Sequence, residues 1–303
     1  MNRKIYHNLL IIGLFTTVCL TWGTTWIAMK IAVSAVPAIL ATGLRFLCAA
    51  PLLLLLAHYK KAPLLFPSTQ FGFQWCVTIF YFAIPFTLML YGESYTSSSL
   101  ASIIFATMPA AVLTLSLIML KERATLRQIV GLAISILTLS IILWHEGHSG
   151  IKNQLCGIMA LLIAVLMHAV MYVQCKKRCV GISVLSYNAL PSLGAGIFLT
   201  LIGLSESPNF HAFTPQALLS IIYLGIVAGV GGVLAYFSLQ QITQPFQASL
   251  VFMIFPIIAV ILENIINGSS ISHQSLILLV PFLFGIILIL YRHPEKHNAE
   301  LSR

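Results

Sequence analysis

The 303-residue chain is 59% apolar and only 8% charged, with a mean hydropathy of +0.98; an ordinary soluble domain has about 25% charged residues, so a water-soluble globule is excluded. The net charge of +9 does not point to nucleic acid, because the basic residues stand singly or in threes at the ends of apolar runs rather than along one polar face. Most of the six cysteines lie inside those runs, so they are read as small core residues rather than a disulfide framework.

A helix of about 20 apolar residues crosses about 30 Å of hydrocarbon. Ten such runs are predicted, near 9–29, 38–57, 71–92, 100–120, 127–144, 155–175, 184–204, 217–239, 248–266 and 275–291. The first follows Arg3 and Lys4 as a signal peptide would. It is longer than a signal core, however, and meets Lys30 rather than a small-residue cleavage site, so it is kept as a span. The longest polar connections, 58–70 and 205–215, carry Pro63, Pro67, Pro208 and Pro215 as helix breakers. The fold class is an all-α polytopic membrane protein.

Charge tests the count. With the N-terminus inside, Arg3, Lys4, Lys60, Lys61, Lys121, Arg123, Arg127, Lys176, Lys177, Arg178, Arg292, Lys296 and Arg303 all fall in cytoplasmic segments, 13 of the 16 basic residues. Only Lys30 and Lys152 fall outside, and Arg45 lies within a span. This is the positive-inside pattern, and it places both termini in the cytoplasm.

Residues four apart share a helix face, so Trp22, Trp26 and Lys30 form one stripe. The spacing recurs 146 residues later at His168, Tyr172 and Lys176. Ala101-Ser102 precede Pro109 as Ala248-Ser249 precede Pro256. The chain is therefore read as two five-helix repeats, 9–144 and 155–291. Because five is odd, the second is inverted in the membrane, an arrangement of many carriers that alternate access to a central site.

Arg45 lies about seven residues into its span, hence about 10 Å from the outer edge at 1.5 Å per residue. A charge near the bilayer centre costs about 2.5–3.5 kcal/mol on insertion scales, so it should face the interior, held by helix carbonyls, an acid or an anionic substrate. Trp22, Trp26, His168 and Tyr172 are candidates for lining a substrate path, with Tyr81, Tyr91 and Tyr236 adding polar tips; simple packing is the competing reading for each ring. Lys30, Glu93 and Glu263 map to the outer helix ends. Lys30 is expected to pair with one of the glutamates as an outer gate, with a glutamate carrying a proton during the cycle. Pro109 and Pro256 are candidate hinges.

Absences narrow the chemistry. The sequence contains no GxxxxGK[ST] or HExxH pattern and no aspartate, so neither a P-loop, a zincin site nor an intramembrane aspartyl mechanism is available. No metal or other cofactor is expected.

The sequence resembles the EamA branch of the drug/metabolite transporter superfamily through Trp22-Gly23-Thr24 with Lys30, Leu44-Arg45-Phe46, Ala101-Ser102 through Pro109 to Lys121-Glu122-Arg123, and His168-Ala169 with Tyr172. His168 stands where the family usually has tryptophan, and Asn267-Gly268-Ser269-Ser270 where it often has a Gly-Glu pair. The resemblance implies a carrier in a bacterial inner membrane, often an exporter of amino acids, related metabolites or toxic compounds. The expected partners are a small-molecule substrate, the lipid bilayer and protons, with no nucleic acid and the oligomeric state open. Competing classes are a membrane enzyme acting on lipid-linked substrates, which needs convergent acids or a metal cluster, and a passive channel.

Overall fold

A computed structural model describes residues 3–121, 124–146, 153–178, 181–243, 251–268 and 271–290. Among them every regular element is helical. Nine of the described helices are long and apolar enough to cross a membrane and one, α9, is a shorter apolar helix; in order they are α1 (Arg3–Val33), α2 (Ala38–Tyr59), α3 (Ser68–Tyr95), α4 (Ser98–Met119), α5 (Leu126–Glu146), α6 (Gln154–Arg178), α7 (Val184–Ser205), α8 (Pro215–Tyr223 continuing to Val233–Ile242), α9 (Val251–Asn267) and α10 (His273–Leu290). Each helix is close to its expected place, and α1 begins several residues earlier. Hydropathy marks only the apolar stretch of a helix, whereas backbone hydrogen bonding carries the helix on into polar sequence. Ala248-Ser249, Arg123, Lys152, Arg292, Lys296 and Arg303, used above for the repeat and the charge partition, lie outside the described residues.

Local chemistry sets the boundaries. Ser97 accepts from Leu100 N, Ser183 from Ser186 N and Thr214 from Ala217 N; each is an N-cap satisfying a backbone donor that the first helical turn leaves free. Pro215 follows Thr214 at the first position of α8, where a missing N–H costs nothing.

The packing follows the two halves. Helices α2 and α7 lie against one another, as do α5 and α10; α1 packs on α8 and α9, while its counterpart α6 packs on α3 and α4. Helices of the first half thus pack on helices of the second throughout the bundle. Small residues permit the close approaches: a Cβ at Gly43 of α2 would sit 2.5 Å from the Thr200 hydroxyl of α7, and one at Gly203 would sit 2.7 Å from Leu40 Cβ. Without a hydrophobic force between helices in lipid, such backbone proximity is a main source of association.

Two irregularities share the repeat. Helix α3 winds as a π-helix over Thr78–Ala83, and α8 does so over Leu224–Gly232, beginning 146 residues apart. Helix α4 is broken at Ala106–Thr107 and restarts at Met108, with Pro109 in its first turn. Pro256, expected to act likewise, lies inside the unbroken α9. The two prolines are therefore not structural equivalents: Pro109 stands at a break, where its missing N–H is harmless, and Pro256 is absorbed within a helix.

Candidate functional site

A cavity of about 170 Å³ lies at the centre of the bundle, lined by α1, α2, α3, α4, α6, α7, α8 and α9. The stripe on α1 places Trp22 and Trp26 on its wall, and the stripe on α6 places His168 and Tyr172 there. Arg45 of α2 and Tyr81 of α3 also line it. Both π-helical stretches contribute, through Tyr81 and Phe82 on one side and Leu224, Gly225, Ala228 and Gly229 on the other. A π turn displaces the hydrogen-bond register and is frequent at functional sites; here it brings small residues of α8 against Arg45. A side chain at Gly225 would collide with the Arg45 carbonyl oxygen.

The guanidinium of Arg45 is buried among rings. Its Cζ lies 4.9 Å from the Phe86 ring centre and 5.6 Å from that of Phe46, within cation–π range. Its polar contacts are long: Nη2 to the Leu224 carbonyl at 3.5 Å and Nη1 to the Met29 sulfur at 4.0 Å. His168 is buried, with Tyr81 and Phe86 edge-on at 5.1 and 5.0 Å between ring centres, and its Nδ1 has no hydrogen-bond partner among the described residues.

A second polar cluster adjoins the first on the side where α1 ends and α4 begins. Glu263 of α9 is buried, and its carboxylate accepts from the backbone N–H of Ser98 at 3.0 Å and of Ser99 at 2.5 Å. It therefore caps the N-terminus of α4 from another helix, where the helix dipole also favours an anion. Glu93 is fully buried; one carboxyl oxygen accepts from Ser98 Oγ at 3.2 Å, and Oε1 has no partner among the described residues. Lys30 Nζ donates to the carbonyls of Glu93 at 2.7 Å and Thr96 at 2.6 Å. This corrects the expected ion pair: Lys30 binds main-chain carbonyls at the C-terminal end of α3 rather than a carboxylate, satisfying acceptors that the helix end leaves open. Trp26 joins the clusters, since its ring lines the cavity while its carbonyl lies 3.3 Å from Ser98 Oγ and shares that hydroxyl's single hydrogen with Glu93.

Two expected path residues lie elsewhere. Tyr91 is 39% exposed on the outer face of α3 and packs on Tyr95 at 5.0 Å. Tyr236 is buried behind the wall, with its ring 4.8 Å from that of Trp22, and does not line the cavity. The sequence reading missed Asn188 and Ser192 of α7 and Thr25 of α1, all on the wall. Asn188 and Ser192 are one helical turn apart and each stands 147 residues after its counterpart, Ala41 and Arg45; testing the repeat at Arg45 would have found Pro191-Ser192.

The family model for EamA-like transporters matches the chain twice, over residues 9–144 and 155–291. The chain belongs to the EamA-like transporter family. It is 51% identical to the protein PagO of Salmonella typhimurium over 91% of each chain. It is 50% identical to an uncharacterized transporter of Buchnera aphidicola subsp. Schizaphis graminum, covering 94% of this chain and 95% of that one. A protein of known crystal structure aligns with a TM-score of 0.66 at 16% identity, over 93% of this chain and 97% of the other; that likeness concerns the fold alone. Membership in the EamA-like family makes the chain a multi-pass membrane transporter, with a small molecule as substrate.

Proposed function

We propose that this chain is a secondary carrier of the bacterial inner membrane that exports a small organic metabolite by alternating access, coupled to the proton gradient, with both termini in the cytoplasm. The observation that carries the reading is a central cavity walled by both inverted halves. Its lining runs from Trp26, Met89 and Phe105 toward Leu53 and Asn188, near the ends where α2 finishes and α7 starts. On the other side, the Glu263–Ser98–Lys30 cluster joins α9, α4, α3 and α1. This arrangement fits a conformation open to the cytoplasm and closed to the exterior. Movement to the opposite state would release Glu263 from α4 and re-form packing on the cytoplasmic side, in the way inverted repeats exchange conformations.

Purified chain reconstituted in liposomes tests this reading. Saturable counterflow of a candidate metabolite supports a carrier, while equilibration without saturation or counterflow identifies a channel. Proton coupling through the glutamates predicts that Glu93→Gln or Glu263→Gln alters the pH dependence of transport; unchanged profiles in both variants would refute that part of the scheme. Tracer movement measured in right-side-out and inverted vesicles fixes the direction.

A further inference from the structure

We infer that the cargo is an organic anion: a small carboxylate, or a group of like charge and shape, on an apolar or aromatic body, bound with its acid on Arg45. The inference rests on the carrier reading and specifies the substrate class of the same cavity.

Arg45 has fewer partners than its donors require. A guanidinium has five N–H donors arranged as a fork that matches a carboxylate. Among the described residues it makes only the two long contacts to the Leu224 carbonyl and the Met29 sulfur, together with the faces of Phe86 and Phe46. An arginine serving to tie helices would be expected to saturate its donors on carbonyls at ordinary distances, as Lys30 does with Glu93 and Thr96 at 2.7 and 2.6 Å. Burying a charge without such compensation is costly, and a bound anion supplies the missing acceptors.

The charge of the wall points the same way. The seven acidic residues of the chain are all glutamates, and none of the described ones lines the cavity. Glu93 and Glu263 belong to the neighbouring cluster, and Glu146 accepts from Ser272 N and Ser275 Oγ at the start of α10. A cationic cargo would meet Arg45 with no countercharge on the described wall. An anionic cargo meets its complement, with His168 beside it and Asn188 and Ser192 as further polar groups.

Size sets the third limit. A dry cavity of about 150 Å³ holds one benzene molecule. The cavity here, about 170 Å³ and walled by Trp22, Trp26, Phe86 and Phe105, has an apolar part of the same order, room for a ring or a short branched chain beside Arg45.

The test reads binding without any transmembrane gradient. The full chain in detergent, with Trp75 and Trp144 changed to phenylalanine, reports ligand through the fluorescence of Trp22 and Trp26. Phenylacetate, phenylacetamide and phenethylamine share a ring and differ in charge, and acetate through indole-3-acetate supply a size series. The expected result is saturable quenching by one or more of the acids, with the matched amide and amine at least tenfold weaker. Arg45→Gln removes that preference, and Arg45→Lys keeps part of it as a point charge without the fork. Equal or tighter binding of the amide or amine overturns the inference, as does absence of binding across the acid series or a charge preference that survives Arg45→Gln. Should Arg45→Gln fail to fold, the comparison of acid with amide on the chain carrying native Arg45 still decides. A chain that binds acids but shows no counterflow in liposomes keeps the anion site and loses the carrier reading. One that carries only neutral or cationic solutes keeps the carrier reading and loses the anion site.

Discussion

The two polar clusters meet at Trp26 and differ in what their charges do. In the cluster at the start of α4, Glu263 is spent on two backbone N–H groups and Lys30 on two carbonyls, so the charge serves to hold helix ends together. In the cavity, the guanidinium of Arg45 makes no hydrogen bond shorter than 3.5 Å among the described residues, so its charge remains available. Buried charge in a membrane is expensive in either place. One cluster is therefore built as a latch and the other as a receptor, although both consist of single ionisable residues on apolar helices.

The comparison is broken most severely by removing the latch's anion. Glu263→Ala leaves the N–H groups of Ser98 and Ser99 without their acceptor, and each buried donor left unsatisfied costs about 1–3 kcal/mol, so the loss is about 2–6 kcal/mol. Thermal unfolding in detergent measures it. Glu263→Gln keeps one acceptor oxygen and loses the charge at the helix terminus, and a smaller loss of stability is expected. In that variant the balance between conformations also shifts: a cysteine introduced at Ser97 is labelled faster from the side where α4 begins than the same cysteine in a chain with Glu263. Equal labelling would mean that the cap contributes nothing to closure.

Lys30→Met is next in size. It strands the carbonyls of Glu93 and Thr96, a loss of about 1–3 kcal/mol each and toward the lower end, because an under-satisfied carbonyl is tolerated better than an orphaned N–H. Lys30→Arg, which still offers donors at that depth, recovers part of it. If the lysine acted only through a glutamate carboxylate, as the sequence suggested, Glu93→Gln would remove the whole benefit of Lys30; in the geometry found here Lys30→Met still strands two carbonyls in the Glu93→Gln background and keeps most of its cost, and a double-mutant cycle in the same unfolding assay measures the remaining coupling of the two charges.

Within the cavity, Phe86→Leu removes the ring beneath Arg45 but keeps an apolar filler. A cation–π contact at a desolvated site is worth about 2 kcal/mol. Part of that is recovered when an anion occupies the guanidinium, so apo stability should fall more than stability measured at saturating acid. A uniform loss in both states would make Phe86 a packing residue only.

How far these features were legible differs by their physical origin. The ten helices, the repeat and the convergence of Trp22, Trp26, His168 and Tyr172 followed from hydropathy and four-residue spacing, because both report which face of a helix turns inward. The π-helical stretches of α3 and α8 were not legible, since a shifted hydrogen-bond register leaves no mark on hydropathy. Glu263 was recognised as needing a partner, but its partner is backbone, and backbone donors are identical for every residue type. Lys30 was assigned to a carboxylate for the same reason: sequence displays side chains, and the carbonyls at the end of α3 are invisible in it.

The misplacement of Tyr91 has a separate cause and gives the smallest expected effect. In water an aromatic residue on an apolar helix turns inward; in a bilayer both surroundings of the helix are apolar, and hydropathy cannot separate the core face from the lipid face. Tyr91 packs on Tyr95 at the rim, toward the end of α3 where tyrosine suits a membrane–water interface. Tyr91→Phe is therefore expected to leave unfolding, acid binding and counterflow unchanged, whereas Tyr81→Phe, at the same substitution cost but on the cavity wall beside His168, changes the affinity for the acid series. The paired measurement tests the assignment of the two faces of α3 directly: equal effects at 81 and 91 would mean that the cavity wall has no privileged claim on the cargo.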